Sequence, residues 1–158
     1  MGKVFLIILF VFIDQISKLF ALKFLSQTQS IPVISNVLHI TLVYNTGSAF
    51  GFFQNQNWIL IYISIFAIIL ILFLSISGQK FKNNFYLKIW QSALLLILCG
   101  ATGNLIDRIR LGYVVDFIDF RVWPVFNFAD SMITCGVILL LFIFLKKDIL
   151  EGESSKMS

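Results

Sequence analysis

Charge is scarce in this 158-residue chain: Asp, Glu, Lys and Arg make up 13% of it, against about 25% in soluble domains. With 59% of residues hydrophobic and a mean hydropathy of +0.94, a water-soluble globular enzyme is excluded. Histidine occurs once, at His39, and cysteine twice, at Cys99 and Cys135, both within apolar runs. That inventory has no metal-ligand spacing and no redox pair, so no metal site and no redox role are expected. The stretch from 26 to 57 contains no Lys, Arg, Asp or Glu, which makes it a poor candidate for the cytoplasmic face of a membrane. The net charge of +4 and pI of about 9.2 come mostly from basic residues between apolar runs. They report membrane topology and not a nucleic-acid partner.

What is present is four apolar runs, at about 4–25, 58–77, 89–106 and 128–145, each near the length needed to span a bilayer. The chain reads as a single integral membrane domain, an all-α membrane protein of four transmembrane helices with a small extracytoplasmic β-sheet. Asp14-Gln15-Ile16-Ser17-Lys18 interrupts the first run, but it is no small-x-small cleavage site and the apolar pattern resumes after it, so an uncleaved helix is expected. Lys3, Lys80, Lys82, Lys88, Lys146 and Lys147 flank the spans on one side, which puts both termini in the cytoplasm. Lys23, Arg108, Arg110 and Arg121 fall on the other side and weaken that count. Alternation of Leu38, Ile40, Leu42 and Tyr44 with His39 and Thr41 has the period of a half-buried strand, so a surface sheet is expected at about 31–53. Residues 111–125, rich in Val, Phe and Trp, read as strand or interfacial structure. The polar tail at about 148–158 is expected to be disordered.

In any four-span chain, the end of span one, the start of span two, the end of span three and the start of span four share one side. The polar residues gather at those four places: Asp14 and Lys18; Asn45 to Gly51; Asn104, Asp107 and Arg108; Asn127 and Asp130. Ionisable groups at membrane depth cost about 2.5–3.5 kcal/mol each on insertion scales and by default mark a function. Asp14 and Lys18, four apart on one helix face, form either a self-neutralising pair or a substrate-positioning one. Gly47, Gly51, Gly100 and Gly103 also have a bland reading as close-packing residues. His39, on the polar face of the expected strand, reads as a surface residue. Asp116, in Val114-Val115-Asp116-Phe117, and Asp130 are two carboxylates expected in apolar surroundings at one interface. Such a pair raises one of its own pKa values and shares a proton, the requirement for acid–base hydrolysis of an amide. Asp107 and Asp119 compete for the role, and spacing alone does not exclude them. A proton-coupled transporter is the rival reading, but it needs polar groups at the midplane, whereas these lie near one face.

Asp14-Gln15-Ile16-Ser17-Lys18, Asn45-Thr46-Gly47-Ser48-Ala49-Phe50-Gly51, Gly100-Ala101-Thr102-Gly103-Asn104-Leu105-Ile106-Asp107-Arg108, Val114-Val115-Asp116-Phe117 and Phe126-Asn127-Phe128-Ala129-Asp130-Ser131 resemble, in order and spacing, the successive motifs of the bacterial lipoprotein signal peptidases, or signal peptidase II. The resemblance runs from the first span to the fourth. Departures are small: Ser48 stands where alanine is common, and Cys99 where the family often has a glycine. The resemblance implies an aspartic endopeptidase that removes the signal peptide from diacylglyceryl-modified prolipoproteins. It would cut on the amino side of the lipidated cysteine at the outer face of the bacterial cytoplasmic membrane. Asp116 and Asp130 then take the catalytic positions. Asn45, Gly47, Asn104, Asp107, Arg108 and Asn127 shape the site and hold substrate, with Asp14 and Lys18 in support. The partners implied are lipidated prolipoproteins and membrane lipid, with the enzyme a monomer; no nucleic acid and no cofactor are implied.

Overall fold

The computed structural model describes residues 2–48, 52–77 and 84–156. Residues 49–51 of the Asn45 motif, and 78–83 with Lys80 and Lys82, lie outside the described residues. Four helices are long and apolar enough to cross a membrane: α1 (Gly2–Phe24), α2 (Asn57–Ser77), α3 (Asn84–Leu111) and α4 (Phe128–Lys156). Three strands, β1 (Ser30–Ile34), β2 (Leu38–Asn45) and β3 (Val114–Asp119), form one antiparallel sheet in the order β1-β2-β3. The sheet follows α1, precedes α2, and joins α3 to α4, so the chain brings it to the end of the bundle where all four polar motifs converge.

The bundle is apolar outside and encloses polar groups alongside its apolar clusters. Phe5, Ile8, Phe12, Phe66 and Phe73 are exposed, while Asp14, Lys18, Asn104, Asp107 and Asn127 are buried. That inversion suits a lipid solvent, in which outward side chains need no water and polar groups must find partners inside. On α1 the buried residues are Asp14, Lys18 and Ala21, one face at helical spacing, turned to α3 and β3. Helix α3 is central and packs on α1, α2 and α4. Its glycines set how near the neighbours come. A Cβ on Gly100 would strike the Ala129 carbonyl oxygen of α4, and one on Gly103 would strike the Asp14 carboxylate. Gly100 thus serves backbone approach, as its small-x-x-small spacing suggests, whereas Gly103 makes room for a charged side chain.

Several element limits differ from the sequence reading, among them the start of α3 at Asn84 and not near 89. Helix α3 runs past 106 to Leu111, because the polar residues at its end find partners within the fold. It stops at Gly112, whose φ of 82° and N–H bond to the Arg108 carbonyl at 3.2 Å make a left-handed cap that glycine alone adopts without strain. The sheet segment expected at about 31–53 closes at Asn45, where β2 ends, because the Asn45 Oδ1 accepts the Gly47 N–H at 3.0 Å and turns the chain. Helix α4 continues to Lys156, so most of the tail expected to be disordered has helical backbone; extending an existing helix needs no new nucleus. A bulge in the β2–β3 pairing between Ile40 and Val43 also interrupts the simple alternation expected of β2.

Candidate active site

Val115 of β3 packs with Ala21 and Leu42 in a buried cluster. Strand alternation therefore sends the next side chain, Asp116, to the opposite face, where it lines a groove of about 1150 Å³. The groove is bounded by β2 with its following turn, by α2 and α3, and by residues 120–126 and the first turns of α4. Residue Phe126 closes back on β3: its N–H donates to the Ile118 carbonyl at 3.0 Å and its carbonyl accepts the Ile118 N–H at 2.8 Å. That bridge delivers Asn127 and the start of α4 beside Asp116.

Asn127 is the N-cap of α4. Its Oδ1 accepts the Asp130 N–H at 2.9 Å, and the Asp130 Oδ2 accepts the Asn127 N–H at 3.2 Å, a reciprocal capping box. The Asn127 Nδ2 then donates to Asp116 Oδ1 at 2.7 Å. One asparagine thus ties the two carboxylates together across the groove. Asp116 also accepts the Asn45 Nδ2 at 2.8 Å on Oδ2, and Asp130 accepts the Asn104 Nδ2 at 2.7 Å on Oδ1. Burial, with the negative charge of Asp130 added, pushes the Asp116 carboxyl up to about 7 against the pull of Asn45, Asn127 and Lys18. An acid poised there exchanges protons at neutral pH.

The remaining polar residues form a second tier. Lys18 Nζ pairs with Asp14 Oδ2 and Asp107 Oδ2, each at 2.9 Å, and donates to Asn104 Oδ1 at 2.8 Å. Asp14 accepts the Ala129 N–H of the first turn of α4 on its other oxygen at 2.9 Å. Asp107 accepts the Val115 N–H at 3.2 Å. Of the two readings for Asp14 and Lys18, the ion pair is present, and it is shared with Asp107. Asp107 is consumed by this cluster. Asp119 pairs in register with His39 at the far end of β3. Burial there is outweighed by the Arg121 N–H, the Thr41 hydroxyl and the Arg121 charge, which hold its carboxyl below the usual carboxylate range. Both competitors for the dyad are therefore engaged elsewhere.

Arg108 reaches the groove and donates to the Gly47 carbonyl at 3.3 Å, while its Nε is buried and has no hydrogen-bond partner among the described residues. Arg121, one of the misfit cations of the topology count, is tied to Asp119, Ser30 and His39. Cys99 is buried; Cys135 is exposed and lines the groove. Among the described residues no cluster of three or more His, Cys, Asp or Glu could hold a metal ion. Sequence reasoning gave no role to Gln15, which donates to Asp107 at 3.0 Å and to the Gly103 carbonyl at 3.2 Å. It also passed over Asn57, which donates to the Arg108 carbonyl at 3.0 Å. An amide one residue from an intramembrane aspartate was the available signal for Gln15.

The family model of signal peptidase (SPase) II matches residues 6–146. The lipoprotein signal peptidase of Caldanaerobacter subterraneus subsp. tengcongensis is 45% identical over 138 residues, 87% of this chain and 91% of that protein. That of Clostridioides difficile is 41% identical over 140 residues, 87% of this chain and 90% of the relative. A solved bacterial membrane enzyme superposes with a TM-score of 0.84 at 32% identity, covering 93% of this chain and 89% of its own. With the motifs, the four-helix fold and these relatives in agreement, the chain belongs to the signal peptidase II family, a family of membrane-spanning proteases.

Proposed function

We propose that the protein is an aspartic endopeptidase that removes the signal peptide from diacylglyceryl-modified prolipoproteins, cutting on the amino side of the lipidated cysteine. The observation that carries this reading is the pair Asp116 and Asp130, joined through Asn127 at the wall of a mostly apolar groove. One carboxylate takes a proton from water as the water oxygen attacks the scissile carbonyl carbon, and the other carboxyl protonates the carbonyl oxygen. Collapse of the resulting gem-diol sends one proton to the leaving amine and returns one to the dyad. Asn45, Asn104 and Asn127 hold the acids through amide donors, and Arg108 and Gly47 line the place where substrate backbone would lie. Apolar helix faces flanking the groove suit the diacylglyceryl chains, which keep the scissile bond at the interface. The enzyme acts as a monomer with both termini in the cytoplasm and the site near the extracytoplasmic face, the arrangement that its lysines favour.

Incubation of the purified protein with a lipidated precursor peptide and its non-lipidated counterpart tests the proposal. Each buried methylene contributes about 0.8 kcal/mol, so only the lipidated peptide should be cut efficiently. Comparable cleavage of the bare peptide would refute the assigned substrate.

A further inference from the structure

The dyad needs one proton between two carboxylates, and its partners are arranged unevenly. Each acid accepts two donors, Asp116 from Asn45 and Asn127 and Asp130 from Asn104 and the Asn127 N–H, so a count of hydrogen bonds does not separate them. Three other features do. Asp116 is 1% exposed, whereas Asp130 is half-buried. Asp130 stands in the first turn of α4, where the helix dipole favours a negative charge. And the side-chain amide that donates to Asp130 has its oxygen held directly by a buried cation, whereas the Asn45 amide that donates to Asp116 has its oxygen held by the neutral Gly47 N–H.

That chain is Lys18 to Asn104 to Asp130. Lys18 has three N–H donors, and all three are used, on Asp14, Asp107 and Asn104. Being buried and saturated, it has nothing left for substrate. What it does is hold Asn104 Oδ1, which also accepts the Asn127 Nδ2 at 3.2 Å. With its oxygen held by two donors, the Asn104 amide has one orientation open to it, and its NH₂ must face Asp130. An NH₂ favours a carboxylate there. A flipped amide would offer its oxygen and favour a protonated carboxyl instead. The other charges facing the dyad do not discriminate in this way. Arg108 of α3 interacts with both acids and with Asp107, Asp14 and Asp107 are paired to Lys18, and β2 presents the neutral Asn45. The charge of Lys18 also reaches Asp116, as the weakest of the influences on it.

We propose that Lys18 is a positioning residue that locks the Asn104 amide, keeps Asp130 ionised and so leaves the shared proton on Asp116. The inference rests on the dyad reading above and assigns its roles. Asp130 is the base: it takes a proton from water as the water oxygen bonds to the scissile carbon. Asp116 is the acid: it gives its proton to the carbonyl oxygen. On collapse the C–N bond breaks, Asp130 passes its proton to the amine, and a gem-diol hydroxyl returns one to Asp116, restoring both.

The test has two variants and two readouts. Lys18→Met removes the cation. Asn104→Leu removes only the amide and leaves the Lys18 ion pairs in place, so it decides the question if Lys18→Met does not fold. In both, kcat for the lipidated peptide should fall at least tenfold with KM little changed. The acid limb of the pH profile, an apparent property of the coupled pair, should move towards alkaline. The double variant should be no worse than Asn104→Leu alone. In the wild type, carboxyl ¹³C resonances of labelled aspartate, assigned with the two Asp→Asn variants, should report Asp116 protonated and Asp130 ionised at pH 6. An unmoved acid limb in Asn104→Leu, or the reverse protonation pattern, would overturn the inference while Asp116→Asn and Asp130→Asn remain inactive. Turnover by either of those two would instead overturn the dyad itself.

Discussion

Asp116→Asn should yield a protein that is inactive yet more stable than the wild type at pH 8. Burial and the neighbouring Asp130 raise the native Asp116 carboxyl from 3.8 to about 7. The native state therefore binds this proton more tightly than the unfolded chain does. The stability linked to it is fully present below pH 3.8 and is lost as the pH rises through about 7. A shift of about three units, at roughly 1.4 kcal/mol each, amounts to a loss on the order of 4 kcal/mol between acid and pH 8. Asparagine does not titrate and escapes that loss. Its NH₂ meets the donor of either Asn45 or Asn127, but so does the hydroxyl of the protonated wild-type acid, so at low pH the two proteins should be nearly equal. The gap should open as the pH rises. Reversible unfolding of both proteins in the same micelles at pH 4.5 and pH 8 measures it, with cleavage of the lipidated peptide as the activity control. If Asp116→Asn were less stable than the wild type at pH 8 by as much as at pH 4.5, the argument that the fold holds this carboxyl near neutrality would be refuted.

Asp130→Asn should also abolish turnover, and the double Asp116→Asn/Asp130→Asn variant should be hardly slower than either single one, because the acids act as a unit; single-turnover cleavage assays read both. Wild-type activity should decline on the alkaline side as Asp116 loses its proton through about pH 7, an apparent limb belonging to the coupled pair. Asp119→Asn, at the far end of β3 and bonded to Thr41 and Arg121, should lower stability by about 1 kcal/mol and change kcat little. A topology reporter fused after Lys147 or placed at Lys82 should read cytoplasmic and one at 27–29 external; the reverse pattern would overturn the orientation.

The four helices are legible in the sequence because a lipid solvent demands long apolar runs and little else. Their ends are less legible for the same reason. Hydropathy stops α3 at 106, just before Asp107 and Arg108, yet these residues remain helical because Lys18 and Gly47 satisfy them from other elements. The parity of a four-span chain already brings the polar motifs to one side, and the sheet that gathers them was foreshadowed by the alternation in β2. What spacing alone left open was which aspartates face the groove together. Asp107 and Asp116 are nine residues apart, and what separates their fates is the ion pair of Asp107 with Lys18, 89 positions away, against the amide donors of Asn45 and Asn127 on Asp116. The bulge between Ile40 and Val43 has no local signature in a run of β-forming residues.

The choice of asparagine around the dyad follows from what the reaction requires. A cation in hydrogen-bond contact with a buried carboxylate lowers its pKa by about 1–3 units, which would leave Asp116 permanently ionised at neutral pH and without a proton to give. Neutral amides satisfy the oxygens with less stabilisation of the charge, so burial and like-charge repulsion keep the upper hand and the acid stays near 7. The nearest buried cation, Lys18, reaches Asp130 only through the Asn104 amide. At that remove it orients a donor without forming an ion pair with the dyad. Asp14 and Asp107 complete the arrangement by occupying the other two Lys18 donors, which keeps the ammonium group where it is. The fold therefore uses two carboxylates to hold one cation in place, and that cation to set one amide, so that two further carboxylates joined through Asn127 can differ in protonation.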